Sequence, residues 1–290
     1  MSDVITLMEQ VPAFYFGFVL ILGLLVGSFL NVVIYRLPVM MQRSWEADCA
    51  ETFPDSNIKV DDSTFNLVLP RSRCPKCNHL IGSLENIPLV SWLVQKGRCK
   101  HCDCKIPARY PSIELLTGLM SLAVAYIIPF GWPVLFALLF TWTLISLTFI
   151  DVDTMLLPDQ LTLPLVWLGL LVNMSGTFTG LQDAVLGAVF GYLILWSIYW
   201  AFKLLTGKEG MGYGDFKLLA ALGAWFGWQA LPLIIILSSF AGAILGIIMI
   251  ATSKDKQSKP MPFGPYLAIA GWVYLVYGVQ LTDLYLSLIL

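Results

Sequence analysis

Eight apolar stretches dominate this chain, at residues 13–36, 112–130, 132–151, 161–176, 181–203, 215–229, 231–251 and 263–288. At about 1.5 Å rise per residue, most of them cross a hydrocarbon layer of about 30 Å as helices. A chain in lipid must satisfy its own backbone hydrogen bonds, and the helix is one of only two ways to do so. The fold expected is an all-α polytopic membrane protein with about eight transmembrane helices. Composition agrees: 58% of the 290 residues are hydrophobic and 12% are charged, about half the charge of soluble domains. That excludes a disordered chain and a simple secreted enzyme. The stretches at 161–176 and 215–229 are short for full spans. They are expected inside the bundle, where short elements are tolerated.

The charges sort by side. All 17 Lys and Arg lie in 37–110, 152–160, 204–214 and 252–262 or at the adjoining helix ends. The turns near 131, 177 and 230 and both termini carry none. The positive-inside rule assigns the first set to the cytoplasm and both termini to the outside. The N-terminus is not expected to be a cleavable signal. Its first twelve residues hold Asp3 and Glu9 and no cation, and the apolar run behind them is too long for an h-region. The net charge of −2 provides no basic field, so no nucleic-acid partner is expected. The short loop 253–260 reads as a solvated turn beside lipid headgroups.

Residues 37–110 differ from the rest, with ten Lys/Arg, eight Asp/Glu, both His and all six Cys. This segment is expected to form a small cytoplasmic, zinc-ribbon-like module between the first two spans. Cys74-Pro-Lys-Cys77 and Cys99-Lys-His-Cys102 are two C-x2-C pairs of the kind that turn four thiolates toward one metal. Arg73, Lys76, Arg98 and Lys100 offset the thiolate charge. The competing readings are disulfides, which a cytoplasmic location disfavours, and an accidental cluster of reduced thiols. Cys104 is surplus: it could exchange with Cys102 or be idle. His79 and His101 are alternative ligands, and Cys49 has no assignment. A closed four-sulfur site is structural, because it leaves no open position for water.

Acidic residues are costly in spans, so each is a functional candidate. Seven lie in or beside them: Glu114, Asp151, Asp153, Asp159, Asp183, Asp215 and Asp283. Asp183 and Asp283 fall near the outer interface, where solvation explains them. Glu114 suits a helix N-terminus. Asp151 and Asp153 end one span, Asp159 precedes the next, and Gly212-Tyr-Gly214-Asp215 opens another, all at the cytoplasmic edge. Bringing carboxylates from distant helices to one depth is what an aspartyl protease requires. Two carboxyls at close range share a proton, one acting as base on water and the other as acid toward the carbonyl. Gly212 and Gly214 would let the backbone turn tightly and a substrate strand approach. An ordinary N-cap at Asp215 and a divalent-cation site at Asp151, Asp153 and Asp159 are the alternatives. The loop lacks the ending of a P-loop.

The segments GSFLNVVIYRLP (27–38), CPKC, ENIPLVSW (85–92), GRCKHC (97–102), RYPSIELLTG (109–118), FIDVDTMLLPDQLTLPL (149–165) and GMGYGDFKLLAALGAW (210–225) resemble, in order and over nearly the whole chain, the bacterial type IV prepilin leader peptidases. The resemblance implies a bifunctional GxGD aspartyl endopeptidase and N-methyltransferase of the inner membrane. Its substrates would be type IV prepilins and the pseudopilins of type II secretion. It would remove their basic leader, then methylate the new N-terminal residue with S-adenosylmethionine. The catalytic pair it implies is Asp151 and Asp215, with Asp153 and Asp159 supporting. The zinc ligands it implies are Cys74, Cys77, Cys99 and Cys102. Gly97 matches a glycine associated with methyl transfer and is the one candidate for the cofactor site.

The division expected is an N-terminal span at 1–36, a four-cysteine zinc-binding and methyltransferase-associated module at 37–110, and a seven-helix peptidase domain at 111–290. An ion-coupled transporter using the same acids is the alternative function, and a non-catalytic scaffold the third. The transporter would place its acids at mid-membrane and show inverted repeats, and neither is seen in the sequence.

Overall fold

The computed structural model describes residues 2–54, 60–61, 63–252 and 261–289. The turn expected at 253–260 lies outside them. The chain forms α1 (Ser2–Gln10), α2 (Pro12–Thr52), α3 (Val90–Val94), α4 (Arg109–Ile127), α5 (Trp132–Thr154), α6 (Asp159–Asn173), α7 (Leu181–Thr206), α8 (Tyr213–Phe226), α9 (Leu231–Thr252) and α10 (Gly264–Ile289). Each of the eight apolar stretches is helical. Among the described residues six helices are long and apolar enough to cross a membrane, and α6 and α8, with 15 and 14 residues, are not among them. Among the described residues there is no strand, only the isolated antiparallel bridges Arg73–Leu80 and Arg98–Lys105.

The chain divides into two compact units, Met1–Phe130 and Gly131–Leu290. In the first, α2 does not stop at Arg36 but runs on to Thr52. Its 41 residues make a rod of about 60 Å, twice the hydrocarbon thickness. Pro38, which cannot donate to the helical ladder, is accommodated inside the helix, and beyond it the sequence offers helix formers and no glycine to end it. The extension is strapped by the chain that follows. Arg36 is buried and donates to the carbonyls of Asn66 (2.8 Å) and Pro70 (2.5 Å). Arg43 lies over the Phe65 ring and pairs with Asp61 at 2.7 Å.

Small residues set the contact of α2 with α4. A Cβ on Gly27 would lie 2.8 Å from the Glu114 Cα, and one on Gly118 would lie 2.8 Å from Leu24. Close backbone approach of this kind drives helix association where lipid removes the hydrophobic incentive.

In the second unit α8 is the central helix, buried along nearly its whole length from Asp215 to Trp225. Gly187 and Gly191 of α7 meet the backbone of α8 at Gly223 and Leu219. On α6, Leu165 accepts the indole N–H of Trp225 at 2.9 Å. Asn173 donates to the carbonyls of Ala224 and Trp225 and accepts from the N–H groups of Phe178 and Thr179. That satisfies the last carbonyls of α8, which no further helical turn can reach. Phe140 of α5 packs on Trp225 at 4.6 Å between centroids. Surrounded by helices, α8 needs no lipid-length span. Asp183 accepts the indole N–H of Trp228 at 3.0 Å in an exposed contact.

Candidate active site

Asp151 lies in the last turn of α5. That helix ends when Met155 takes a left-handed conformation (φ 55°) and returns its N–H to the Asp151 carbonyl. Asp215 lies in the first turn of α8, where Gly212, in an extended conformation, is the N-cap. The two carboxylates are only 4% and 6% exposed. Both line one cavity of about 430 Å³, together with Leu157, Glu209, Met211, Gly212, Gly214, Phe263 and Tyr266. The backbone N–H of Gly264, the first residue of α10, donates to Asp151 Oδ2 at 3.0 Å. Asp215 Oδ1 is buried and has no hydrogen-bond partner among the described residues. A buried acceptor left open in this way calls for an explanation. The residue that carries it lines the cavity.

The two glycines of the GxGD motif do different work. A Cβ on Gly214 would lie 2.7 Å from the Leu157 Cβ, so this glycine lets α8 start against the loop after α5. A Cβ on Gly212 would meet only Asp215 Oδ2, at 3.8 Å, and the Gly214 nitrogen, at 3.9 Å, so this glycine keeps the cavity wall low. Of the other acids, Asp159 opens α6 and is held by both carboxylate oxygens to Lys217 Nζ, at 2.6 and 2.7 Å. Asp153 is exposed, about 200° around the helix from Asp151. Neither lines the cavity.

Residues 261–266 escaped the sequence reading. They supply the Gly264 donor and the walls at Met261, Phe263 and Tyr266. Their signal was the Pro262-Phe-Gly264-Pro265 run, which sequence pattern marks only as a helix boundary. Glu209 was missed as well. Lys203 holds it at 2.8 Å and keeps its carboxyl below the usual range.

The cysteine module is built as two like knuckles. The Cys74 N–H donates to the His79 carbonyl and the Cys99 N–H to the Cys104 carbonyl, each at 2.9 Å. Asn78 and Asp103 take left-handed conformations at matching places. The Sγ atoms are 3.7 Å apart for Cys74–Cys102, 3.5 Å for Cys74–Cys104 and 4.0 Å for Cys77–Cys99. The sulfurs of Cys74, Cys99, Cys102 and Cys104 all lie within 4.8 Å of one another. Backbone N–H groups of Cys77 and Lys76 pull the Cys74 thiol down to about 6. The Cys104 N–H likewise lowers Cys102. Contact with the Cys102 and Cys74 thiols pushes Cys104 up to about 12. Each knuckle thus holds one thiol whose ionisation is eased, and the donor set fits a soft or borderline cation. The His79 and His101 rings stack at 3.5 Å, and Glu85 accepts from Gly82 N–H and contacts His79 Nε2 at 3.2 Å.

Gly97 sits at φ +68°, and a Cβ there would lie 2.9 Å from the Trp92 ring. Its N–H donates to the Trp92 carbonyl, and its own carbonyl accepts from Ile106. The Trp92 indole closes the turn on the Ile106 carbonyl. Buried Glu114 of α4 accepts the Leu89 N–H at 2.8 Å and so fixes the start of α3. Beside the second knuckle is a concavity of about 440 Å³, with Glu85, Arg98, Lys100 and Asp103 set around Val90 and Val94.

Residues 21–128 match the Bacterial Peptidase A24 N-terminal domain, and residues 138–247 match the Type IV leader peptidase family. The chain is 60% identical over 291 residues to a prepilin leader peptidase/N-methyltransferase of Aeromonas salmonicida (strain A449), covering 100% of both chains. It is 59% identical over 287 residues to one of Aeromonas hydrophila, covering 99% of both. It is 56% identical over 268 residues to one of Pseudomonas aeruginosa, covering 92% of both. No solved structure matches the chain.

Proposed function

The chain belongs to the prepilin leader peptidase/N-methyltransferase family, and on that premise we propose that Asp151 and Asp215 cut prepilins and pseudopilins at the cytoplasmic face of the inner membrane. One observation carries the reading: two nearly buried carboxylates, delivered by helix ends far apart in sequence, line the same cavity. In the mechanism proposed, one carboxyl accepts a proton from the attacking water while the other, protonated, donates to the scissile carbonyl. The proton then passes to the leaving amine as the tetrahedral intermediate collapses. Gly264 N–H holds Asp151 in register, and the surrounding helices keep bulk water from the pair.

The charge distribution supports a substrate whose apolar helix lies in the bilayer and whose basic leader stays inside. The transporter reading gains nothing from the structure: both acids sit at helix ends, not midway along a span.

For the second activity, S-adenosylmethionine supplies the methyl group for the new N-terminus. The concavity that Arg98 lines suits a donor of that size and mixed charge: Lys100 could meet a carboxylate, and the exposed Arg98–Asp103 pair (3.3 Å) would open to bind it. Zinc at the cysteines would fold residues 37–110, a segment with few buried apolar side chains. The catalytic unit proposed is the helical part at 111–290.

The test is cleavage of a purified prepilin in detergent by the wild type, Asp151→Asn and Asp215→Asn. Each variant is expected to remain folded and to lose about 10²–10⁴-fold in rate. A variant that still cuts near the wild-type rate removes its residue from the pair.

A further inference from the structure

The cysteine module holds one thiol more than a four-sulfur site needs. With metal–sulfur bonds of about 2.3 Å, a tetrahedral tetrathiolate has sulfur–sulfur edges of about 3.8 Å. The separations of 3.7 Å (Cys74–Cys102), 3.5 Å (Cys74–Cys104) and 4.0 Å (Cys77–Cys99) all lie close to that edge. The sulfurs of Cys74, Cys99, Cys102 and Cys104 form one four-sulfur set, all within 4.8 Å of one another, while Cys77, 4.0 Å from Cys99, is the fourth thiol that the two C-x2-C pairs would supply in place of Cys104. Cys77 is exposed and Cys104 is half-buried.

Cys104 is not a stray thiol brought near by a loose loop. Its carbonyl closes the second knuckle on the Cys99 N–H, as His79 closes the first on Cys74. The sulfur is thereby held against Cys74 of the opposite knuckle.

We propose that Cys104 is an interchangeable metal ligand: Cys74, Cys99 and Cys102 hold the ion, and either Cys77 or Cys104 supplies the fourth thiolate. The inference rests on the reading that this module binds a metal. Exchange breaks one metal–sulfur bond and forms another, and the proton of the incoming thiol passes to the outgoing one. No oxidant is required. The site then tolerates loss or alkylation of exposed Cys77 without opening a coordination position.

The experiment uses the full-length chain in detergent with Cys49→Ser as the background. Cys77→Ser, Cys104→Ser and the double variant are loaded with Co²⁺, whose thiolate charge-transfer and ligand-field bands count the sulfurs. Zinc per chain is measured by mass spectrometry, and affinity by competition with a chromophoric chelator. Both single variants are expected to keep one metal and a four-thiolate spectrum. The double variant is expected to show three thiolates and at least about tenfold weaker zinc binding, a loss that even a change outside the ligand set can cause. Loss of the four-thiolate spectrum in either single variant overturns the proposal, as does an unchanged double variant. If the background protein takes up no metal at all, the metal reading itself fails, which is a different result.

Discussion

The backbone N–H of Gly264 donates to Oδ2 of Asp151 at 3.0 Å, across 113 residues of chain. The donor is the first residue of α10, so the positive end of that helix faces a carboxylate at the end of α5. A Cβ on Gly264 would lie 2.6 Å from the same oxygen and 3.0 Å from Leu157. Gly264→Ala is therefore expected to displace the Asp151 carboxyl and slow cleavage about 10–100-fold, the scale set by misplacing a reacting group by about 1 Å. Steady-state cleavage should show the loss in kcat more than in KM. Wild-type kcat in a folded Gly264→Ala protein would end the claim that this contact positions Asp151.

Asp159 and Lys217 form the strongest-looking ion pair near the cavity, with both oxygens within 2.7 Å of Nζ. The carboxylate is half exposed, however, and exposed pairs are worth about 0.2–1 kcal/mol. Asp159→Asn and Lys217→Gln are expected to slow cleavage no more than about fivefold each, in keeping with so weak a pair. A double-mutant cycle on thermal stability should return a coupling of that small size. A drop as large as that from Asp151→Asn would instead make Asp159 part of the reacting group.

Much of this was legible in the sequence, for identifiable reasons. Apolar run length and the one-sided distribution of Lys and Arg locate the spans, because lipid permits so few backbone structures. GxGD and the two C-x2-C pairs are local spacings, and local spacing is what a sequence displays directly. The Asp151–Gly264 bond is not local: one N–H in a Pro-Phe-Gly-Pro run carries no mark of the carboxylate it will meet. The end of α2 was misread for a related reason. Hydropathy reports where lipid ends, and the helix ignores that boundary and continues to Thr52.

Gly187 of α7 and Gly223 of α8 face each other so closely that a Cβ on either would collide with the carbonyl of the other. Neither backbone can yield without parting the helices. Gly223→Ala is expected to cost at least about 1–3 kcal/mol through overpacking, to lower the melting temperature in detergent, and to reduce cleavage because α8 carries Asp215. Gly17→Ala is the control. A Cβ there meets nothing within 4 Å, and alanine favours helix by up to about 1 kcal/mol, so its melting temperature should hold or rise. Equal melting temperatures for the two variants would contradict the close α7–α8 packing.

Gly97 has a structural account that bears on the second activity. At φ +68° an L-residue pays about 1–2 kcal/mol, and a Cβ would also press on the Trp92 ring at 2.9 Å. That ring hydrogen-bonds the Ile106 carbonyl, and the next residue in the chain, Arg98, lines the concavity proposed for the methyl donor. Gly97→Ala is expected to lower methyl transfer about tenfold or more, the scale of a misplaced reacting group, while leaving leader cleavage near wild type, read from the mass of the processed N-terminus. Packing and direct donor contact then separate on one further variant. If the lesion is the collision with Trp92, adding Trp92→Leu makes room for the new Cβ and recovers part of the methylation. If the donor must approach the Gly97 backbone itself, the second substitution leaves the loss in place, and Gly97 belongs to the cofactor site and not to its frame.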